Sequence, residues 1–127
     1  MKIAAYTIAK NEAQFVKKWA DSCKEADYRI ILDTGSEDNT VSLARDLGVT
    51  VMRYSFDPWR FDHARNMALS FVPHDTEYCI ALDMDEVLVD GWREPLEQAL
   101  TEGITRPRYK YTWSWNPDGT PGLEYGG

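Results

Sequence analysis

Positive charge is scarce in this sequence. Lys and Arg number 14 against 21 Asp and Glu, which gives a formal net charge of −7. The basic residues form no stripe, so we expect no nucleic-acid partner, because such binding requires clustered cations that neutralise phosphates. An acidic protein that binds an anionic ligand needs a cation at its site, so such a ligand would come here with a metal ion.

Long apolar runs and cysteines are also few. No run approaches the ~18 residues of a membrane-spanning helix, and residues 1–6 turn polar too soon for a signal peptide. The two cysteines, Cys23 and Cys79, lack the spacing of a metal site. We predict that both are free thiols in a reducing compartment, and therefore that the protein is cytoplasmic.

Several common catalytic signatures are missing, and an acidic strand end stands out instead. The chain has no Walker-type phosphate loop, no His-Glu-x-x-His and no Ser or Cys placed beside a base. The apolar run at 79–82 leads directly into Asp83-Met84-Asp85-Glu86. Carboxylates this close repel one another unless a cation or a proton relieves them, and hard divalent cations prefer carboxylate oxygens. The pattern predicts a metal site at the carboxyl end of a buried strand, with a solvated strand end as the alternative.

The hydrophobic periodicity predicts strands that alternate with helices. Strands are expected at 2–8, 29–32, 49–54, 78–82 and 109–115, and helices at 11–26, from 36 or 38 to 47, at 62–71 and at 91–102, with Asn11 and Asp62 as N-caps. A turn at 116–119 and a short return strand would complete a C-terminal β-hairpin. This order indicates an α/β fold, with a mostly parallel sheet and helices on both faces.

Three polar clusters follow predicted strands, at 10–12, 33–36 and 83–86. Ligands of such sheets bind beyond the carboxyl ends of the strands, so we expect the clusters to meet there. Asp33 could accept a hydrogen bond from a base N–H, and Arg65 could neutralise the acids or face a diphosphate. Ser36, Asp38 and Thr40 are predicted mainly as helix caps.

Four blocks of the sequence together resemble the family 2 glycosyltransferases, which have the GT-A fold. They are Thr7-Ile8-Ala9-Lys10-Asn11-Glu12, Asp33-Thr34-Gly35-Ser36-Glu37-Asp38-Asn39-Thr40, Phe61-Asp62-His63-Ala64-Arg65-Asn66 and Leu82-Asp83-Met84-Asp85-Glu86. The resemblance implies one GT-A-like, Rossmann-like domain over residues 1–127. Its nucleotide-binding core would span 1–90, and the acceptor-side region would begin at 91–127.

The resemblance also implies a nucleotide-sugar donor, usually a UDP-sugar, and Mn²⁺ or Mg²⁺. Asp33 matches the acid that contacts the base, and Arg65 matches an arginine near the base and diphosphate. Asp83 would face ribose or metal, and Asp85 would ligate the metal. The remaining matches, in the block after the first strand, are Thr7, Asn11 and Glu12.

The implied reaction is an inverting displacement by the hydroxyl of a carbohydrate or other acceptor. It requires a general base, and the sequence assigns none, because Glu94 and Glu97 are expected to face solvent on a helix. Two alternatives remain open. One is a nucleotide-sugar-binding module without complete catalytic machinery. The other is a phosphatase of the haloacid dehalogenase type, whose first motif residues 82–90 resemble.

Overall fold

The computed structural model describes residues 1–56 and 60–103, together with the backbone of residues 110–115 and 121–126. The chain divides into two compact units, Met1–Arg93 and Glu94–Gly127. Within the described residues, no helix combines the length and the apolar character needed to cross a bilayer.

The first unit alternates strands and helices along the chain. Its elements are β1 (Ile3–Ala9), α1 (Ala13–Ser22), β2 (Tyr28–Asp33), α2 (Thr40–Asp46), β3 (Thr50–Arg53), α3 (Phe61–Ser70) and β4 (Tyr78–Ala81). The four strands lie in the order β3-β2-β1-β4, and each neighbouring pair is parallel. The predicted α/β fold with a mostly parallel sheet is confirmed.

The core lies on both faces of this sheet. On one face, Tyr6 of β1 and Leu32 of β2 pack with Ala64 and Ala68 of α3. Connections between parallel strands are right-handed as a rule, which puts α1 and α2 on the face opposite α3, because the strand order runs outwards from β1 to β3 and then returns past β1 to β4. α1 packs against α2 there, and Trp19 of α1 is fully buried.

The strand order determines where a ligand can enter. β2 and β3 lie on one side of β1, whereas β4 lies on its other side. The strand order therefore reverses between β1 and β4, and such a switch point opens a crevice at the carboxyl ends of the parallel strands. The polar clusters predicted from the sequence follow β1, β2 and β4 at this edge.

Several helix boundaries differ from the prediction, and α2 begins at Thr40 with Asn39, not Ser36 or Asp38, as its N-cap. α1 is capped by Glu12 rather than Asn11, because Asn11 adopts the left-handed backbone conformation with φ of 54°. α1 also ends at Ser22 instead of residue 26, since the chain turns there to enter β2, with Ala26 N–H donating to the Cys23 carbonyl at 3.0 Å. At α3, residue 60 is the N-cap and Asp62 lies in the first turn.

The two cysteines are free, as predicted, but they differ in burial. Cys23 is fully buried at the end of α1, whereas Cys79 is exposed. Cys79 was expected inside a buried strand. It is exposed because successive residues of a strand face opposite sides, and β4 is the outermost strand on this side of the described sheet.

The second unit contains most of α4 (Arg93–Thr101) and two antiparallel strands, β5 (Lys110–Trp115) and β6 (Pro121–Gly126). β6 is the return strand predicted from the sequence, whereas the predicted turn at 116–119 lies outside the described residues. Leu96 and Leu100 are four residues apart, and this helical spacing predicts that both face inwards from the helix expected at 91–102. They are half-buried, and no residue of Arg93–Thr101 is fully buried.

Candidate functional site

The loop after β2 holds the start of α1 in place. The backbone N–H of Asn11 donates to Ser36 Oγ at 2.8 Å, and the Asn11 side-chain oxygen accepts from the Glu37 N–H at 2.7 Å. The N–H of Glu12 donates to Thr40 Oγ1 at 3.1 Å. The left-handed conformation of Asn11, which Asn tolerates better than most residues, accompanies this double contact. The loops after β1 and β2 therefore form one continuous polar edge.

Asp38 joins the ends of two helices. Its carboxylate accepts from the N–H of Thr40 at the start of α2, at 3.0 Å, and from the N–H of Ala13 at the start of α1, at 3.3 Å. The Thr40 hydroxyl also donates to this carboxylate, and that hydrogen bond is the main reason that the pKa of Asp38 is lowered. The N-cap residue of α2 is Asn39 rather than the predicted Asp38, but the Asp38 carboxylate accepts from the first N–H group of each helix.

The acid turn, residues 82–86, is fixed through its backbone. The Leu82 N–H donates to the Tyr6 carbonyl at 3.1 Å, and the Leu82 carbonyl accepts from Trp19 Nε1–H at 2.9 Å. Leu82 and Met84 point into the core and are 2% and 3% exposed, whereas Asp83 and Asp85 are exposed. Buried and exposed side chains thus alternate past the end of β4, and both aspartates are accessible.

Glu86 is distinguished from the two aspartates by its hydrogen bonds. Its Oε1 accepts from the Asp83 N–H at 2.9 Å, and its own N–H donates to the Asp83 carbonyl at 2.9 Å. The carboxylate of Glu86 therefore closes the turn that carries the aspartates. Of the three acids that made this segment conspicuous in the sequence, one braces the backbone and two face outwards.

A small cavity opens at the switch point between β1 and β4. It brings together Thr7, Arg65 and Asp83, and Tyr6 and Phe61 are also among its lining residues. The guanidinium carbon of Arg65 lies 5.7 Å from the centre of the Phe61 ring, within the range of a cation–π contact. Burial raises the pKa of the Tyr6 hydroxyl, while the nearby charge of Arg65 opposes that rise. Arg65 is thus a cation on the wall of a cavity that also contains Asp83.

Negative charge collects beside this cavity. The pKa of Glu12 is raised, first by partial burial and then by the charges of Asp85 and Asp83. Glu12 therefore lies near the two aspartates, as the predicted meeting of the strand ends requires. Among residues 1–56 and 60–103, no three acids, histidines or cysteines form a group that could hold a metal ion. The donor set suits a cation that takes one or two carboxylates and completes its coordination with ligand phosphates and water, as Mg²⁺ commonly does.

Asp33 lies at the carboxyl end of β2, beside a second cavity. Its side chain is fully buried and pairs with Arg53 at the end of β3, with Arg53 Nε 3.3 Å from Asp33 Oδ2. The pair arises from the strand register, which places Asp33 directly opposite Arg53. Both residues line a cavity of about 230 Å³ together with Gly35, Tyr54 and Ser55.

The sequence missed several residues of this edge. Tyr6 and Phe61 were not proposed as site residues, although Tyr6 directly precedes one of the four blocks and Phe61 is the first residue of another. Arg53 was also missed, because a lone arginine at a strand end carries no motif. Only its position in the sheet could have indicated Arg53, because β3 ends beside Asp33 of β2 when the two strands pair in parallel.

Comparison with known proteins agrees with this architecture. The sequence model described as Glycosyl transferase family 2 matches residues 5–120. The lipopolysaccharide core biosynthesis glycosyltransferase LpsC of Rhizobium meliloti is 28% identical over 93% of this chain and 47% of its own length. An uncharacterized glycosyltransferase of Rickettsia felis is 32% identical over 76% of this chain and 33% of its own.

One solved structure resembles the chain in its fold. TarS from S. aureus superposes with a TM-score of 0.63 at 16% identity, covering 81% of this chain and 20% of that chain. The chain thus spans about half of the length of LpsC, and less of the other two proteins.

Proposed function

Because this chain belongs to glycosyl transferase family 2, we propose that it binds a nucleoside-diphosphate sugar, with UDP as the nucleotide, at the carboxyl edge of its parallel sheet. The observation that carries this proposal is the cavity between β1 and β4. It combines a cation, Arg65, with a carboxylate, Asp83, and it lies at the switch point where such folds bind ligands.

The residues divide into two subsites. Arg65 would face the diphosphate, because its guanidinium can pair with phosphate oxygens in a planar, two-point contact. Thr7 lines the same cavity, and Asn11 and Glu12 follow on the adjoining loop. The cavity beside Asp33 at the ends of β2 and β3 would receive the base.

A divalent cation would complete the diphosphate subsite. Asp85 would ligate it directly, and Asp83 would bind it or the ribose. Glu12 supports this assignment, because its pKa is raised first by partial burial and then by the nearby negative charges of Asp85 and Asp83, which a cation would offset. When bound, Mn²⁺ or Mg²⁺ supplies Lewis-acid stabilisation of the charge on the departing diphosphate.

The reaction proposed for the whole protein is an inverting transfer. The acceptor hydroxyl oxygen forms a bond to the anomeric carbon while the bond from that carbon to the diphosphate oxygen breaks. The bonding electrons leave with the diphosphate, and the acceptor proton passes to a general base. The acceptor would be a carbohydrate hydroxyl, by analogy with the lipopolysaccharide core named for LpsC.

A second candidate is a nucleotide-sugar-binding module that does not turn over. It is kept as a candidate because transfer requires a general base, and no residue of the sequence is assigned that role. Both candidates predict the same donor binding, and they differ in whether the sugar is released.

One experiment tests the binding proposal and separates the two candidates. The protein is incubated with UDP-glucose, UDP-galactose and UDP-N-acetylglucosamine with and without Mn²⁺, and thermal stability and UDP release are followed. Metal-dependent stabilisation with UDP release supports the transferase, and stabilisation alone supports the module. Absence of any stabilisation by UDP or its sugars contradicts the proposal.

Matched variants assign the metal role. Asp85→Asn should abolish the Mn²⁺-dependent part of UDP binding and leave the far-UV circular dichroism spectrum unchanged. Asp46→Asn removes the same charge at the last residue of α2, remote from the acid turn in the sequence, and should bind as the wild type does. Equal UDP affinity in Asp85→Asn and wild-type protein would count against this role.

A further inference from the structure

The carboxylate of Asp33 already accepts four hydrogen bonds. Its Oδ2 accepts from the N–H groups of Gly35 at 3.2 Å and Ser36 at 2.9 Å, and from Arg53 Nε at 3.3 Å. Its Oδ1 accepts from Ser36 Oγ. Four donors therefore already bond this carboxylate, and its side chain is 0% exposed, so it is closed to a further donor from solvent.

Arg53 is the accessible partner in this pair. Its Nε donates to Asp33 and its Nη2 donates to the Ser36 carbonyl at 3.1 Å, so the guanidinium is held on two sides. Its side chain is nevertheless 51% exposed. A guanidinium carries five N–H donors in a rigid fork, and these two bonds use two of them. Arg53 therefore presents an oriented cation with remaining donors at the cavity wall.

The rest of the cavity suits a flat ring with polar edges. Tyr54 is 52% exposed, and its ring centre lies 4.9 Å from that of Phe56 at an interplanar angle of 60°. Contact with Phe56 restricts the Tyr54 ring while leaving part of it accessible. The cavity thus offers hydrogen-bond donors from Arg53 beside an exposed aromatic side chain, and aromatic rings are common stacking partners of bases.

We propose that Arg53 is the residue that reads the base, by donating a hydrogen bond to a carbonyl oxygen of the uracil ring. In this arrangement Asp33 is a positioning residue that acts through Arg53. The inference rests on the proposed function and refines it, because the group that meets the base is an arginine outside the four family-like blocks. Neutral carbonyl oxygens rather than phosphates are the acceptors, since Arg65 and the acid turn already serve the diphosphate at the other cavity.

Calorimetric titration with uridine, UMP and UDP tests this assignment. Arg53→Gln should weaken all three by a similar factor of roughly 10–100, the range for hydrogen bonds to charged groups. Arg45→Gln is the matched control, because it removes the same charge from an exposed position on α2, and it should bind as the wild type does. Loss of UDP affinity with unchanged uridine affinity would show that Arg53 binds phosphate, and would overturn the proposal.

Ligand analogues separate base contact from loop support. Sulfur accepts hydrogen bonds weakly, so either 2-thio-UDP or 4-thio-UDP should bind wild-type protein more weakly than UDP does. In Arg53→Gln that difference should vanish, because the donor is gone. If Arg53 merely supports the loop, the variant will weaken UDP and both analogues equally and keep the difference. Equal binding of all three ligands to wild-type protein also overturns the proposal, without reliance on any variant.

The positioning role of Asp33 has its own readout. Asp33→Asn should reduce uridine affinity, because Arg53 loses its orientation. It should also reduce the penalty, meaning the difference in affinity between UDP and the thio analogue that wild-type protein binds more weakly. An unchanged penalty would show that Asp33 does not act through Arg53. Failure of the broader proposal is distinguishable, since wild-type protein would then bind no UDP with or without Mn²⁺.

Discussion

Replacing Trp19 with Phe tests how the acid turn is held. The side chain of Trp19 is 0% exposed, and its Nε1–H donates to the Leu82 carbonyl at 2.9 Å. Phe removes this donor and leaves a buried carbonyl without it, which costs about 1–3 kcal/mol. The smaller ring also leaves a void of about 40 Å³, which adds roughly 1 kcal/mol at about 24 cal/mol per Å³.

We therefore expect Trp19→Phe to lower the free energy of unfolding by about 2–4 kcal/mol. At roughly 4 °C per kcal/mol for a chain of this size, the midpoint of thermal unfolding should fall by about 8–16 °C. Urea unfolding followed by circular dichroism measures the free energy without relying on the fluorescence of the altered residue.

Trp92→Phe is the matched control. Trp92 is 8% exposed, and its Nε1–H donates to the Ser22 carbonyl at 3.0 Å, so the substitution removes a comparable bond at the end of α1. Both variants should lose stability. Trp19→Phe should also weaken Mn²⁺-dependent UDP binding about tenfold or more, because residues that orient metal ligands typically contribute 10–100-fold in affinity. The reasoning is wrong if Trp19→Phe unfolds within about 0.5 kcal/mol of wild type, or if both variants lose UDP affinity equally.

Three further predictions follow from individual contacts. Glu86→Gln keeps an acceptor for the Asp83 N–H, so it should retain most of the metal-dependent UDP affinity, whereas Glu86→Ala should lose that affinity. If calorimetry shows the same loss of affinity in both variants, Glu86 is a metal ligand and does not act by holding the turn. Burial raises the pKa of Cys23 to about 12, whereas Cys79 is exposed. At pH 8 an aromatic disulfide reagent should therefore label Cys79 in the native protein and label Cys23 only upon unfolding. Rapid labelling of both cysteines in the native protein would contradict this prediction. Asp27 has a lowered pKa, mainly because it accepts from a backbone N–H. Its folded-state pKa lies below the unfolded value of about 3.9, so its contribution to stability is present above that pH and is lost as the pH falls through the folded value. Asp27→Asn should flatten the acid limb of the stability profile, and an unchanged limb in urea titrations would refute this role.

The sequence predicted the sheet and its functional edge because those features depend on local patterns. Apolar runs such as 78–82 are visible as strands, and parallel strands bring their carboxyl ends to one edge. The prediction that the polar clusters meet there is consistent with the structure, in which Asn11 contacts Ser36, and Asp83 shares a cavity with Arg65. The family match supports the glycosyltransferase interpretation over the phosphatase alternative.

The details that the sequence did not predict depend on long-range contacts. Asn11 looks like a helix cap, yet its side chain bonds the Glu37 N–H 26 residues away. Glu86 looks like a third metal ligand, and its hydrogen bond to the Asp83 N–H appears only when the turn is built. The pairing of Arg53 with Asp33 requires the register of β2 and β3, which composition does not encode. Strand and helix patterns determine which elements form, whereas side-chain roles at the edge depend on how those elements meet.

Paramagnetic NMR tests the central claim, that donor and metal bind at the carboxyl edge of the sheet. Amide spectra of the labelled protein are recorded with UDP while Mn²⁺ is added in substoichiometric amounts, since the ion broadens signals from nuclei near it. We predict broadening centred on the amides of residues 83–86 and reaching residue 12, together with diamagnetic shifts at residues 33–36 and 53–55 when UDP binds with Mg²⁺. Broadening centred elsewhere, or absent while UDP binds, would contradict the account.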